Sequence, residues 1–298
     1  MRIGVFGNDY QAGKQESIKT LFDKIRLLKG EIWIEAGFVN YLSNQFAYTP
    51  GIEGIIESDT FPLDLVISLG GDGTFLRTAA WVGRQEIPIL GINTGRLGFL
   101  ADIGTNEIEE TLNEVFRGDY SVEERSLLEL QTPLSQYAAH NFALNEIAVL
   151  KRDTSSMIAI HTYLNEEFLT TYLADGLLVA TPTGSTAYSM SVNGPIIIPQ
   201  ANNFVLSPVA PHSLNVRPLV IPENYCIRLK VETRNGNFLI SLDGRSTIFP
   251  SESEFIIRKA DFCVKIIKRT QQSFYDTLRK KLLWGTDVRP VAFVENNI

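Results

Sequence analysis

Leu63-Asp-Leu-Val-Ile-Ser-Leu-Gly-Gly-Asp-Gly-Thr-Phe-Leu-Arg77 is the stretch that decides the fold. Its apolar run reads as a buried strand, and the glycines that follow open it into a helix through a turn where no Cβ blocks close approach. Backbone N–H groups at the mouth of that helix, with the positive end of its dipole, favour a phosphoryl group. Asp72 is the acid of this turn, placed to accept a proton from a nucleophile rather than to bind the anion. The stretch predicts a phosphate cradle with an acid in it, as a phosphotransferase acting on a hydroxyl would need. A plain capped turn, with Asp72 or Thr74 as N-cap, would account for the glycines alone.

The flanking pattern predicts a parallel sheet for residues 1–100. Arg2 to Gly7 reads as a strand, and Gln15 to Lys29 carries Ile18, Leu21, Phe22, Ile25 and Leu28 at helical spacing, with Gly30 closing the helix. Residues 32–34, 63–69 and 87–92 are further strands with helical stretches between, an alternation that implies right-handed crossovers. Ligands gather at the carboxyl ends of such strands, where Gly70 to Thr74 and Gly91-Ile-Asn-Thr-Gly95 both fall. After a helical segment at Glu107 to Phe116, short strands are predicted at 126–131, 142–150, 158–164, 177–180, 204–209, 227–232, 238–242, 255–257 and 262–267, separated by turn residues. Gln271 to Trp284 returns to helical spacing. The predicted fold class is an α/β N-terminal domain with a parallel sheet plus a mostly antiparallel β C-terminal domain. The first is placed at 1–100, with the segment 270–298 packing back on it, and the β-rich domain at 101–269.

Composition narrows the partners. The 298 residues are 44% hydrophobic, enough for a large core and for two domains, and the net charge of -7 without a long Lys/Arg run excludes a nucleic-acid stripe. Two cysteines, Cys226 and Cys263, and three histidines, His140, His161 and His212, are scattered without metal-ligand spacing. No apolar run is long enough for a membrane, and the N-terminal one is too short for a signal peptide, so a cytoplasmic location is expected. There is no Gly-x-Gly-x-x-Gly after the first strand. Gly7-Asn-Asp-Tyr-Gln-Ala-Gly13-Lys14 misses the P-loop by one residue and puts Gln15 where Ser or Thr would bind magnesium, so it reads as a surface loop.

Two further segments carry chemistry. Asp175-Gly-Leu-Leu-Val-Ala-Thr-Pro-Thr-Gly-Ser-Thr-Ala-Tyr-Ser-Met-Ser191 runs from a strand into a dense group of hydroxyls and small residues that opens a helix at 185–191. Small residues let a planar base or ribose approach the backbone, hydroxyls supply directed hydrogen bonds, and Tyr188 offers a flat face. A capped helix explains Ser185 and Thr186 but not the whole cluster. Asn145-Glu146 interrupts the apolar stretch Phe142 to Leu150. An amide can pair with a donor and an acceptor on an adenine edge and a carboxylate can grip ribose hydroxyls, although an edge-strand turn would explain the pair as well.

Together these segments resemble the NAD kinase family over nearly the whole chain. The resemblance rests on Gly70-Gly-Asp-Gly-Thr74, Gly91-Ile-Asn-Thr-Gly-Arg-Leu-Gly-Phe-Leu100, Asn145-Glu146, the 175–191 block continuing into Gly194-Pro195, and Pro211-His-Ser-Leu-Asn-Val-Arg-Pro218. The first of these is shared with lipid kinases and the Thr181 to Tyr188 string is far more specific. The family implies transfer of a phosphoryl group from ATP or polyphosphate to the 2′-hydroxyl of the adenosine ribose of NAD, with Mg²⁺ entering on the ATP phosphates, on a homodimer or homotetramer. By position, the resemblance makes Asp72 the general base, with Gly73 and Arg77 near the phosphates. Asn145 and Glu146 become adenosine ligands. Asp175, Thr183 and Thr186, Ala187, Tyr188, Ser189, Met190 and Ser191 become dinucleotide contacts, some of them across a subunit boundary. Ala210 and Arg245 are weaker contact positions. His212 reads as a loop-packing residue and Asp243 as a turn residue before Gly244. The competing expectations are a lipid or sphingoid-base kinase with the same glycine motif, which needs an apolar groove, and a non-catalytic NAD(P)-sensing module.

Overall fold

The structure, a computed structural model, describes residues 1–8, 13–46, 48, 50–57, 61–133, 140–152, 156–270 and 272–285. Its first half runs β1 (Arg2–Phe6), α1 (Gln15–Leu27), β2 (Glu31–Glu35), α2 (Ala36–Phe46), β3 (Gly54–Ile56), β4 (Leu65–Gly70), α3 (Asp72–Val82), β5 (Ile89–Asn93), β6 (Ile103–Gly104) and α4 (Ile108–Arg117). There follow β7 (Tyr120–Gln131), β8 (Phe142–Ala143), β9 (Glu146–Lys151), β10 (Ile158–Leu164), β11 (Glu167–Ala174), β12 (Gly176–Ala180), α5 (Tyr188–Ser191) and β13 (Asn203–Val209). The chain closes with β14 (Leu219–Pro222), β15 (Ile227–Glu232), β16 (Asn237–Leu242), β17 (Arg245–Pro250), β18 (Ser253–Arg269) and α6 (Phe274–Leu282). The expected fold class holds: a parallel sheet with helices comes first and antiparallel strands follow.

Strands β5-β4-β1-β2-β3 lie side by side in parallel. All six residues of β4 are buried, as a central strand covered on both faces must be. Ile3, Val5, Ile67 and Leu69 face α1, α2 and α4 in one apolar cluster, while Val66 and Ile89 face Phe75, Ala79 and Val82 of α3 in another. The chain leaves β1 towards β2 and β3, then returns to β4 on the other side of β1. This is the topological switch point at which such sheets form their binding crevice. Asn8, just past β1, donates its side-chain amide to Thr74 Oγ1 at 3.0 Å across that crevice.

Strand β18 is 17 residues long and ties the two textures together. It pairs with β5 in parallel and with β7 and β15 in antiparallel fashion, so one sheet is continuous from β3 to β11. A second sheet, β14-β13-β12-β9-β16-β17, packs face to face on its antiparallel part, with Ile160, Leu229 and Ile257 meeting Val149, Val179, Leu206 and Ile240.

Several expected boundaries are corrected. The strands at 255–257 and 262–267 are one strand whose pairing with β7 slips between Lys259 and Cys263, where a bulge absorbs the misfit. Strands β3, β6, β11, β14 and β17 leave no clear trace in the sequence pattern, because they are short or carry polar residues. The left-handed residue that ends α1 is Lys29 (φ 59), not Gly30. A Cβ on Gly30 would stand 2.7 Å from Ile25 Cγ2, so that glycine serves close packing. Residues 9–12 of the P-loop-like segment and the part of the C-terminal segment beyond residue 285 lie outside the described residues. Within α6, Ser273 and Asp276 form a reciprocal N-terminal cap.

Candidate active site

Asp72 is the first residue of α3, after an extended Gly71. Its carboxylate is taken up by a segment that follows β5. Oδ2 accepts from the backbone amide of Phe99 at 2.9 Å, and Oδ1 accepts from Leu100 and Ala101 at 3.0 Å each. Asn93, 4% exposed, shapes this segment by donating to the Ala101 carbonyl at 3.2 Å and accepting from Gly95 N–H at 2.6 Å. A Cβ on Gly98 would lie 2.0 Å from Asp72 Oδ1, so only glycine lets the segment close over the carboxylate. A Cβ on Gly71 or Gly73 would meet nothing within 4 Å, so among the described residues the space directly beside these two glycines is open.

The second part of the site is built around Asp243. Asp243 (φ 47) and Gly244 (φ 84) make a two-residue hairpin turn between β16 and β17, with Leu242 paired to Arg245. The turn expected for Asp243 is there, but its side chain does more. It accepts from the amides of Leu144 (2.6 Å), Asn145 (2.8 Å) and Glu146 (3.1 Å). These contacts split the single strand expected at 142–150 into β8 and β9, because those three amides point at a carboxylate instead of a neighbouring strand. Burial pushes Asp243 above the usual carboxylate range against the pull of these donors. Glu146, beside it, is pushed up to about 8, first by burial and then by the Asp243 charge. Its Oε2 is buried without a hydrogen-bond partner among the described residues, while the Tyr188 amide donates to the carboxyl group.

The hydroxyl-rich segment folds against this pair. The Thr181 amide donates to the Asn145 carbonyl at 2.9 Å, and a Cβ on Gly184 would stand 2.0 Å from the same oxygen. The helix expected over 185–191 is instead a 3₁₀ turn, Thr183–Thr186, and a single α-turn, Tyr188–Ser191. Ala187 breaks them with ψ -130, and the next amide turns to Glu146. Thr183 is buried and its Oγ1 accepts from Arg125 Nη1 at 3.4 Å; Thr186 is half-buried, with its hydroxyl on the Thr183 carbonyl. Ser189 is fully buried and its hydroxyl pairs with Ser207 at 3.2 Å, so that group is spent inside the protein. Ala187 and Met190 are half-buried, while Tyr188 and Ser191 are exposed.

Between these parts lies a cleft of about 310 Å³ lined by Gly73, Leu76, Arg77, Ala80, Trp81, His140, Asp243 and Arg245. Leu76, Ala80, Trp81 and His140 were not anticipated, although 73, 76, 77 and 80 share one helix face by spacing alone. Arg245 is anchored by carbonyls: Nη1 donates to His140 O at 2.9 Å, Nε to Leu242 O at 3.1 Å, and Nη2 to Phe142 O. A second cleft of about 300 Å³, at the switch point, is lined by Phe6, Gly7, Glu35, Gly37, Thr74, Arg77, Thr78 and Trp81. Arg77 and Trp81 therefore border both.

Asp175 and Ala210 are not brought to this cleft. They sit at the opposite end of β12 and β13 from Thr181, about 17 Å along the five residues of β12. Asp175 pairs with Lys151 Nζ at 2.6 Å, Ala210 takes a left-handed φ of 44, and the His212 amide donates to the Leu173 carbonyl.

Comparison with known proteins fits this geometry. Residues 40–120 match a family model described as the ATP-NAD kinase N-terminal domain, and residues 144–269 match the ATP-NAD kinase C-terminal domain. The NAD kinase of Bacteroides fragilis is 50% identical over 289 residues, covering 97% of this chain and 100% of that protein. The chain belongs to the NAD kinase family. The NAD kinase of Porphyromonas gingivalis is 46% identical over 97% of this chain and 99% of its own length. Among solved structures, an NAD kinase from Archaeoglobus fulgidus in complex with ATP superposes with a TM-score of 0.75 at 26% identity, covering 95% of this chain and 99% of that one. A yeast NADH kinase complexed with NADH shares the fold, with a TM-score of 0.86 at 22% identity over 97% of this chain and 89% of that one. Asp72 of this NAD kinase family member thus lies within the N-terminal match, and Glu146 and Asp243 within the C-terminal one.

Proposed function

We propose that this chain transfers the γ-phosphoryl group of ATP to the 2′-hydroxyl of the adenosine ribose of NAD, giving NADP, with polyphosphate as a second donor of the same chemistry. One observation carries the reading. A carboxylate held by three backbone amides sits at the open mouth of α3, and the next residue, Gly73, lines a cleft whose far wall is Asp243 and Arg245. In this proposal the 1–100 unit supplies the base and the donor site, and the 101–269 unit supplies the NAD-binding pocket, working in the cytoplasm.

Asp72 accepts the proton of the ribose hydroxyl as the phosphoryl group arrives, a contribution of about 10²- to 10⁴-fold. The amides at the start of α3 and Arg77, which borders both clefts, receive phosphate oxygens. Asn145 reads the adenine edge. Glu146 carries its proton below about pH 8, so it can donate to one ribose hydroxyl as well as accept from another. Mg²⁺ enters on the phosphates of the donor; among the described residues no group of three or more His, Cys, Asp or Glu side chains gathers that could hold a metal ion. Asp175 and Ala210, a strand's length away, reach the dinucleotide from a neighbouring copy, which makes the working form a homodimer or homotetramer.

The test is to incubate the purified chain with NAD, ATP and magnesium and to measure NADP with a dehydrogenase that strictly requires it. NADP formation is expected. Phosphorylation of sphingosine or diacylglycerol in its place would make the chain a lipid kinase. Among the described residues no helix is long and apolar enough to cross a membrane.

A further inference from the structure

The match to the C-terminal family model ends at Arg269, and the helix beyond it reaches back to the Asp72 carboxylate. Lys281, at the end of α6, places Nζ 3.4 Å from Asp72 Oδ2 and 4.7 Å from the centre of the Phe99 ring. Phe274, at the start of the same helix, packs on Phe99 with ring centroids 6.2 Å apart, so α6 is fastened to the segment that wraps Asp72. A carboxylate offers about four lone-pair sites. Here Leu100 and Ala101 take both on Oδ1, while Phe99 and Lys281 take both on Oδ2. A base with all four occupied has nowhere to receive a proton. Three of its partners are backbone amides fixed by the fold. The fourth is a long contact from a flexible ammonium, with both side chains about 30% exposed at the open mouth of α3.

We propose that Lys281 is a positioning residue of the phosphoryl-transfer site, the counter-ion of Asp72 in the empty enzyme and a ligand of the donor's phosphoryl oxygens once ATP is bound. The inference rests on the kinase reading above. When the donor arrives, the ammonium follows the larger negative charge, and Oδ2 is released towards the acceptor. The acceptor's O–H proton then passes to Oδ2 as the oxygen's electron pair forms the new O–P bond. The bond from phosphorus to the bridging oxygen breaks with its pair left on ADP. A chain of net charge -7 must supply such cations locally: Arg77 lines the cleft beside α3, and Lys281 meets Asp72 at its start.

The experiment is steady-state kinetics of Lys281→Ala, Lys281→Gln and Lys281→Arg, with Lys280→Ala as a control on the same helix turn. For Lys281→Ala the expected result is a kcat lower, and a KM for ATP higher, by about tenfold or more, with the KM for NAD unchanged. Lys281→Arg should recover more of the rate than Lys281→Gln, and Lys280→Ala should behave as wild type. If wild type makes NADP and Lys281→Ala matches it in kcat and ATP KM, this inference falls and the kinase reading stands. A Lys280→Ala variant as impaired as Lys281→Ala, or an equal rise in the KM for NAD, would reduce Lys281 to a structural part and also overturn it. A wild-type chain that makes no NADP removes the kinase reading and this inference with it.

Discussion

Two carboxylates in this molecule are held in the same way and put to different ends. Asp72 takes three backbone amides from residues 99–101, and Asp243 takes three from residues 144–146. Around Asp72 the fourth neighbour is a lysine and the side chain stays about 30% exposed. Around Asp243 the neighbour is a second acid, Glu146, and burial pushes both carboxyls up. The same tripod therefore leaves an open carboxylate beside a cation in one place, the group we propose as the base, and a buried wall of the pocket beside another acid in the other. Exposure and the sign of the fourth neighbour decide the role.

The largest break in this comparison comes from Asp72→Asn. It keeps the shape but cannot take a proton, and kcat is expected to fall about 10²- to 10⁴-fold with NAD affinity nearly unchanged. The NADP-coupled assay and calorimetric titration with NAD check the two halves. Next, Asp243→Ala leaves three amides without their acceptor and puts an alanine at a left-handed φ of 47, so stability is expected to drop by about 3 kcal/mol in urea unfolding. Gly98→Ala drives a Cβ to within 2.0 Å of Asp72 Oδ1, and the displaced carboxylate should cost kcat about 10²-fold with the fold retained by circular dichroism.

Glu146→Gln sharpens the comparison through pH. Glu146 holds its proton up to about pH 8 when folded and loses it above the ordinary 4.5 when unfolded. Between those values the folded state binds the extra proton, so rising pH weakens folding. Glutamine mimics the protonated acid without this penalty. The unfolding free energies of variant and wild type should coincide near pH 4 and separate towards pH 8 with the variant higher, by on the order of 4 to 5 kcal/mol at most. Parallel curves across that range would mean that Glu146 is ionised in the folded chain.

The alternation of strand and helix, the glycine turn at the end of β4 and the antiparallel run after α4 are all legible in sequence, because burial imposes a period on every central element. Strand β14 is only four residues long with a single buried side chain, and β17 begins Arg-Ser-Thr, so at these edges the pattern fades. The two tripods are harder to read. Asp243 reads as a turn residue because a carboxylate before a glycine is ordinary turn chemistry; that its oxygens reach residues 144–146 follows from the β9–β16 pairing, which sets it beside Asn145, 98 residues earlier. Ser189, a dinucleotide contact by resemblance, is buried with its hydroxyl paired to Ser207, a partner that spacing does not show.

By itself the sequence determined which residues could do chemistry: an acid among glycines, an Asn-Glu pair in an apolar strand, a run of hydroxyls after another strand. Those assignments are local, since they rest on residue type and spacing. Only the tertiary structure decided that Asp72 is gripped by the segment after β5, that Glu146 is pushed up to about 8 by burial beside Asp243, that Asp175 stands a strand's length from the cleft, and that a lysine 209 residues further on meets Asp72. Each of these depends on which distant amides and charges meet, and that is settled by sheet pairing and packing across the whole chain.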